Sequence, residues 1–98
     1  MTYSKTFKAK ESGFEIKLIM LDRGAWYYKR NEEYRFILSN RTKTWIQKNH
    51  PENKWTLYLL RFENGKEVQR TIQVGRKTLF ELLDCMVRIE RLGCEKFI

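Results

Sequence analysis

Lys29, Arg30, Arg35, Arg41, Lys43, Lys48 and Lys54 fall in one short span, interleaved with Tyr27, Trp45 and Trp55. These two kinds of side chain do one chemistry well. A Lys or Arg neutralises a phosphate and releases its counterions, and an outward ring stacks on a base. Between Lys29 and Trp55 the only acids are Glu32, Glu33 and Glu52. The bias extends over residues 23–78, which carry thirteen Lys or Arg against five Asp or Glu and so account for the whole net charge of +8. Nine of the fourteen aromatics lie in the same stretch. Such a composition points to a polyanionic partner and argues against an acidic surface that mimics DNA.

Catalytic constellations are sparse. His50, the only histidine, stands before Pro51 with no second His or nearby Cys to complete a zinc-binding spacing. Ser4, Ser12 and Ser39 have no G-x-S-x-G context, and the five glycines form no phosphate-cradling loop. Glu32-Glu33 reads as a solvated turn rather than a paired general acid and base. Cys85 and Cys94 lack a partner base. The sequence therefore predicts a non-enzymatic protein with no catalytic residue, no metal and no cofactor.

The chain has 98 residues, enough for one domain spanning 1–98 and one modest core. A hydrophobic fraction of 42% supports a folded chain. Met1 to Lys5 is not followed by an apolar leader segment, and the most apolar run, Ile16 to Leu21, is too short to span a bilayer. A cytoplasmic protein without membrane contact is expected, as monomer or homodimer. Two cysteines fit a reducing compartment better than a disulfide framework.

Elements that position the basic span follow from periodicity. Phe14 to Leu21 alternates Phe14, Ile16, Leu18 and Met20 onto one face, and its end, with Ile19 and Leu21, reads as covered on both sides. Asp22-Arg23-Gly24 turns the chain into a second strand, Ala25 to Arg30. Asn31-Glu32-Glu33 leads to a third, Tyr34 to Ser39. Residues 40–53 leave three readings open: a long loop, a short helical turn, or an extension of the third strand. Trp55 to Phe62 and Lys66 to Val74 form a hairpin around Asn64-Gly65, the preferred type I′ pair. Val68, Ile72 and Val74 are expected on one face of the return strand, with a polar, water-facing side opposite. Thr78-Leu79-Phe80-Glu81 is a capping box, and Leu79 to Leu92 is an amphipathic helix ended by Gly93. The predicted fold is α+β: an antiparallel meander of four to five strands with one C-terminal helix packed on one face. A dimer contact through that helix is the alternative use of its apolar stripe.

If Trp26 and Tyr28 point into the core, then Tyr27 and Lys29 point outward, and Arg35 joins them from the next strand. The expected function is a small basic binding domain for single-stranded or structured RNA or DNA, or a nucleoprotein complex. Its candidate contacts are Tyr27, Lys29, Arg30, Arg35, Arg41, Lys43, Trp45, Lys48 and Lys54. The second class is a stoichiometric protein-binding inhibitor or accessory factor. It would be of the kind carried by phages and mobile elements, aimed at a host protein or a nucleoprotein complex such as a defence nuclease. A compact chain rich in Trp, Tyr and Arg has the composition of interface hot spots.

Overall fold

The computed structural model describes residues 2–41 and 48–98. Among these, six strands form one antiparallel sheet in chain order: β1 (Ser4–Lys8), β2 (Glu15–Asp22), β3 (Ala25–Lys29), β4 (Tyr34–Ser39), β5 (Trp55–Glu63) and β6 (Lys66–Arg76). Helix α1 (Leu79–Leu92) and a short 3-10 turn (Cys94–Lys96) follow. The α+β meander is as expected, but with six strands rather than four to five. The extra strand is β1. Its only apolar residue is Phe7, so it shows no alternation, and pairing with β2 makes it a strand, with Phe7 opposite Ile16 and Ser4 opposite Ile19.

The sheet's two faces differ. On one, Leu18, Phe36, Leu38, Leu57 and Leu59 are fully buried against Leu82, Leu83 and Met86 of α1. Each such side chain contributes about 1.5–3 kcal/mol by leaving water. Trp26, Tyr28, Trp55 and Val74 are partly buried around this core. The helix stripe is thus spent on the sheet.

Local chemistry sets the helix ends. The Thr78 hydroxyl accepts from the Glu81 amide at 3.3 Å, which is half of the expected capping box. The Glu81 carboxylate accepts from the Thr78 hydroxyl at 3.4 Å and faces Lys10 Nζ at 3.5 Å. Gly93, at φ 103°, ends the helix and donates to the Ile89 carbonyl. Glu90, inside the apolar arc, is held by Arg30 at 3.5 Å. Burial pushes its carboxyl upward, and Arg30 opposes that shift.

A latch joins the β1–β2 loop to α1. Asp84 accepts from the Glu11 amide at 2.8 Å and from the Ser12 amide at 2.9 Å. Burial alone would raise its pKa. The amides of Ser12 and Glu11, the Ser12 hydroxyl and Arg88 outweigh that and hold it below the ordinary value.

Two sequence expectations are corrected. Met20 and Leu21 are exposed, so the end of β2 is not covered on both sides. In β6 the register shifts between Leu57 and Tyr58 and between Arg61 and Phe62, leaving Gln73 and Val68 as extra residues. Each bulge flips the alternation. Val74 therefore pairs with inward Leu57, Ile72 pairs with Tyr58 on the opposite face, and Val68 is exposed. The far face at β6 is accordingly not uniformly polar. At the hairpin, Asn64 (φ 52°) and Gly65 (φ 77°) have the two positive φ angles of a type I′ turn.

Candidate nucleic-acid interface

The face of the sheet away from α1 is built by the residues that alternate with the core. Tyr27 pairs with Ile37 and with Ile19, and Lys29 pairs with Arg35. Further along, Arg35 pairs with Leu60, Ile37 with Tyr58, and Leu60 with Arg70. Tyr58 and Leu60 are buried on this side, outside the main core.

Arg35 is the most constrained cation here. Its guanidinium carbon lies 3.9 Å from the Phe62 ring centroid, and Nη1 donates to the Tyr27 hydroxyl at 2.9 Å. Its side chain is only 16% exposed. Nε is buried with no hydrogen-bond partner among the described residues. A guanidinium stacked on a ring and steered by a phenol loses little further freedom on binding an anion. Arg70 repeats the theme more loosely: it grips Glu67 through two bonds of 2.9 Å and sits 5.9 Å from the Tyr58 ring centroid.

Lys29 and Arg35 stand directly opposite one another on neighbouring strands. Like charges in that position destabilise a sheet. One exposed acid answers both: Glu32 lies 2.6 Å from Lys29 Nζ and 3.8 Å from Arg35 Nη2. The hydrogen bond from Lys29, with the two positive charges, holds the Glu32 carboxyl below its ordinary value. In water such a bridge is weak and readily exchanged for another anion.

Beside this pair the sheet opens. The β2–β3 ladder runs through Ile19–Tyr27 and Met20–Trp26, and the same register continued would place Lys17 opposite Lys29. That pair is not made. A cleft of about 430 Å³ lies there, lined by Thr2, Ser4, Lys17, Ile19, Tyr27, Tyr28 and Lys29. Its lining contains two lysines, Thr2, Ser4, Ile19 and the outward Tyr27, and no acid; Tyr28 borders it but turns its ring to Phe36 on the helix side.

The structure thus unites Tyr27, Lys29 and Arg35, three of the residues singled out from sequence. Arg30 sits on the opposite face, on Glu90. Arg41, Lys48 and Lys54 are exposed, and Arg41 lies beyond the far end of β4, about 20 Å from Arg35 at ~3.3 Å per residue. Arg41 there pairs with Asp22. Lys43 and Trp45 lie outside the described residues. Sequence reasoning missed Lys17, Phe62 and Arg70. The polar phase of β2 carried a signal for Lys17, and Phe62 continues the outward alternation of Tyr58 and Leu60, whereas Arg70 lies between the two bulges that shift the phase of β6.

Other chemistry is thin. Among the described residues no three His, Cys, Asp or Glu converge as a metal site, and no helix is long and apolar enough to cross a membrane. Cys85 and Cys94 are free thiols. Burial pushes both upward in pKa, more than Arg76 and Arg88 lower the first or Arg30 the second. Such thiols are poor nucleophiles. Comparison with protein-family models, curated proteins and solved structures yields no match, so the functional reading rests on this geometry.

Proposed function

We propose that this protein is a small non-enzymatic domain that binds nucleic acid, single-stranded or structured, on the sheet face away from α1. The cleft between β2 and β3 receives the backbone. Lys17 and Lys29 neutralise phosphates on its two sides, and Arg35, steered by Tyr27 and Phe62, supplies the third contact. Tyr27, on the cleft wall, offers a ring to a base.

One observation carries this reading: Lys17 and Lys29 line a cleft without an acid, and Arg35 stands directly opposite Lys29, a like-charge pair whose repulsion the exposed Glu32 relieves. Binding to phosphate converts that repulsion into affinity. Recognition through a groove-reading helix is disfavoured, because the apolar stripe of α1 is buried and its outer side mixes Glu81, Asp84, Arg88 and Arg91.

The test is fluorescence anisotropy with labelled single-stranded and duplex RNA and DNA. Three phosphate contacts at a slope of about −0.7 each on single strands predict a roughly twentyfold loss of affinity between about 50 and 200 mM salt. No binding at the lower salt would refute the proposal. It would move the chain to the other class, an inhibitor or accessory factor directed at a protein.

A further inference from the structure

The helix-side face carries a row that crosses the whole sheet. Tyr3, which precedes β1, bonds through its carbonyl to the Met20 amide at 2.9 Å. Met20 pairs with Trp26, Trp26 with Leu38, Leu38 with Leu57, and Leu57 with Val74. At the β4–β5 end the row is sealed: Leu38 and Leu57 are fully buried beneath α1. At the β1–β2 end it is open, with Tyr3 54% and Met20 38% exposed. The aromatic network continues outward. Phe7 meets Trp26 edge-on with centroids 4.8 Å apart and Phe80 at 6.2 Å, and Phe80 is 46% exposed. Tyr3 lies 6.1 Å from Trp26. An exposed run of this kind marks a docking surface.

Its rim is basic. Lys5 Nζ is 5.4 Å from the Phe7 ring centroid. A groove of about 410 Å³ beside Phe80 is lined by Lys8, Ala9, Lys10, Thr78 and Phe80, and contains no acid. Two carboxylates stand at its margin, Glu81 against Lys10 and Glu15 opposite Lys8 in the β1–β2 ladder. A second copy of the chain is a poor occupant, since a two-fold contact would bring Lys5, Lys8 and Lys10 against their own equivalents.

We infer that the ridge formed by Tyr3, Phe7, Met20, Trp26 and Phe80 docks an acidic amphipathic peptide segment of a protein partner. The segment's apolar side chains lie on the rings, and its carboxylates meet Lys5, Lys8 and Lys10. The surface is on the opposite side of the sheet from the nucleic-acid cleft, so the two sites act independently.

The probe is a labelled peptide with leucines at helical spacing and glutamates elsewhere, titrated into the full chain beside a twin with lysines in place of the glutamates. The glutamate peptide should bind at least about tenfold more tightly than its twin. Phe80→Ser and Met20→Ser should each weaken it about tenfold, and Lys8→Glu with Lys10→Glu should do the same. Met20→Ser, at an exposed position, keeps the test valid if Phe80→Ser fails to fold. Oligonucleotide affinity should be unchanged in the Phe80 and Met20 variants, which separates this inference from the nucleic-acid reading. Equal binding of both peptides, or of neither, would overturn it. So would self-association in sedimentation that Phe80→Ser abolishes.

Discussion

Replacing Asp84 by Asn tests how the β1–β2 loop is held on the helix. The carboxylate accepts from two backbone amides, at 2.8 and 2.9 Å. A hydrogen bond to a charged acceptor contributes about 1.5–3 kcal/mol when buried. These bonds are water-exposed, so about half that is reasonable for each after screening. Asn keeps one carbonyl acceptor without charge and retains part of the interaction. The net loss should be about 1–1.5 kcal/mol at neutral pH, or roughly 4–12 °C in Tm for a domain of this size. The pH dependence identifies the cause. Asp84 titrates below its ordinary value of 3.8 in the folded chain, so its stabilisation is complete above that value and disappears as pH falls through the lower folded value. The assay is urea unfolding of both proteins at neutral pH and at a descending series of pH values below 3.8, followed until the difference stops changing, with unchanged m-values showing that the same surface unfolds. The two should differ at neutral pH and converge in acid. Equal stability at neutral pH, or a gap that persists in acid, would refute the latch.

Other outcomes follow from the same geometry. Leu82→Ala, at a fully buried site against the sheet, should cost about 3–4 kcal/mol in urea unfolding, with a midpoint independent of protein concentration. A concentration-dependent midpoint would indicate that the helix stripe serves a dimer. Gly24→Ala should destabilise more than Gly65→Ala. Both glycines have positive φ, but a Cβ at Gly24 would run into the Asn40 side chain and crowd Arg41, whereas at Gly65 it meets nothing within 4 Å. The second change should therefore cost only the roughly 1 kcal/mol of left-handed strain, a ranking that thermal melts can check. With both thiols raised in pKa and Cys94 more buried than Cys85, a thiol reagent at pH 7.5 should modify Cys85 first, and more slowly than free cysteine; about pH 7.5 lies well below an ordinary thiol pKa. Glu32→Gln should raise oligonucleotide affinity about two- to fivefold by freeing Lys29 and Arg35, with little change in Tm. A fall in affinity would count against the cleft.

What the sequence made legible was whatever obeys a regular period. The helix from Leu79 to Leu92, its Thr78 cap, the Asn64-Gly65 turn and the inward phase of Tyr34, Phe36 and Leu38 depend only on near neighbours in the chain. β1 was illegible because an edge strand with Phe7 as its sole apolar residue is defined by its partner. The faces of β6 were misread because two bulges move the phase, and nothing local in Val68 or Gln73 announces them. Cations adjacent in sequence are separated by the fold. Arg30 alternates onto the helix side, and Arg41 lies a strand's length from Arg35. Lys17 comes from another part of the chain, and only the opening of the β2–β3 ladder brings it beside Lys29.

On the proposed function the far sheet face, and not the loop end, holds the nucleic acid. The decisive measurement compares oligonucleotide affinity in two double charge reversals, Lys17→Glu with Lys29→Glu and Arg41→Glu with Lys48→Glu. Both remove the same net charge, so any general electrostatic attraction is matched between them. The face variant should lose about 30-fold or more at low salt and show a shallower salt slope, whereas the loop-end variant should lose less than about threefold. The reverse ranking, or equal losses, would contradict the assignment of the cleft between β2 and β3.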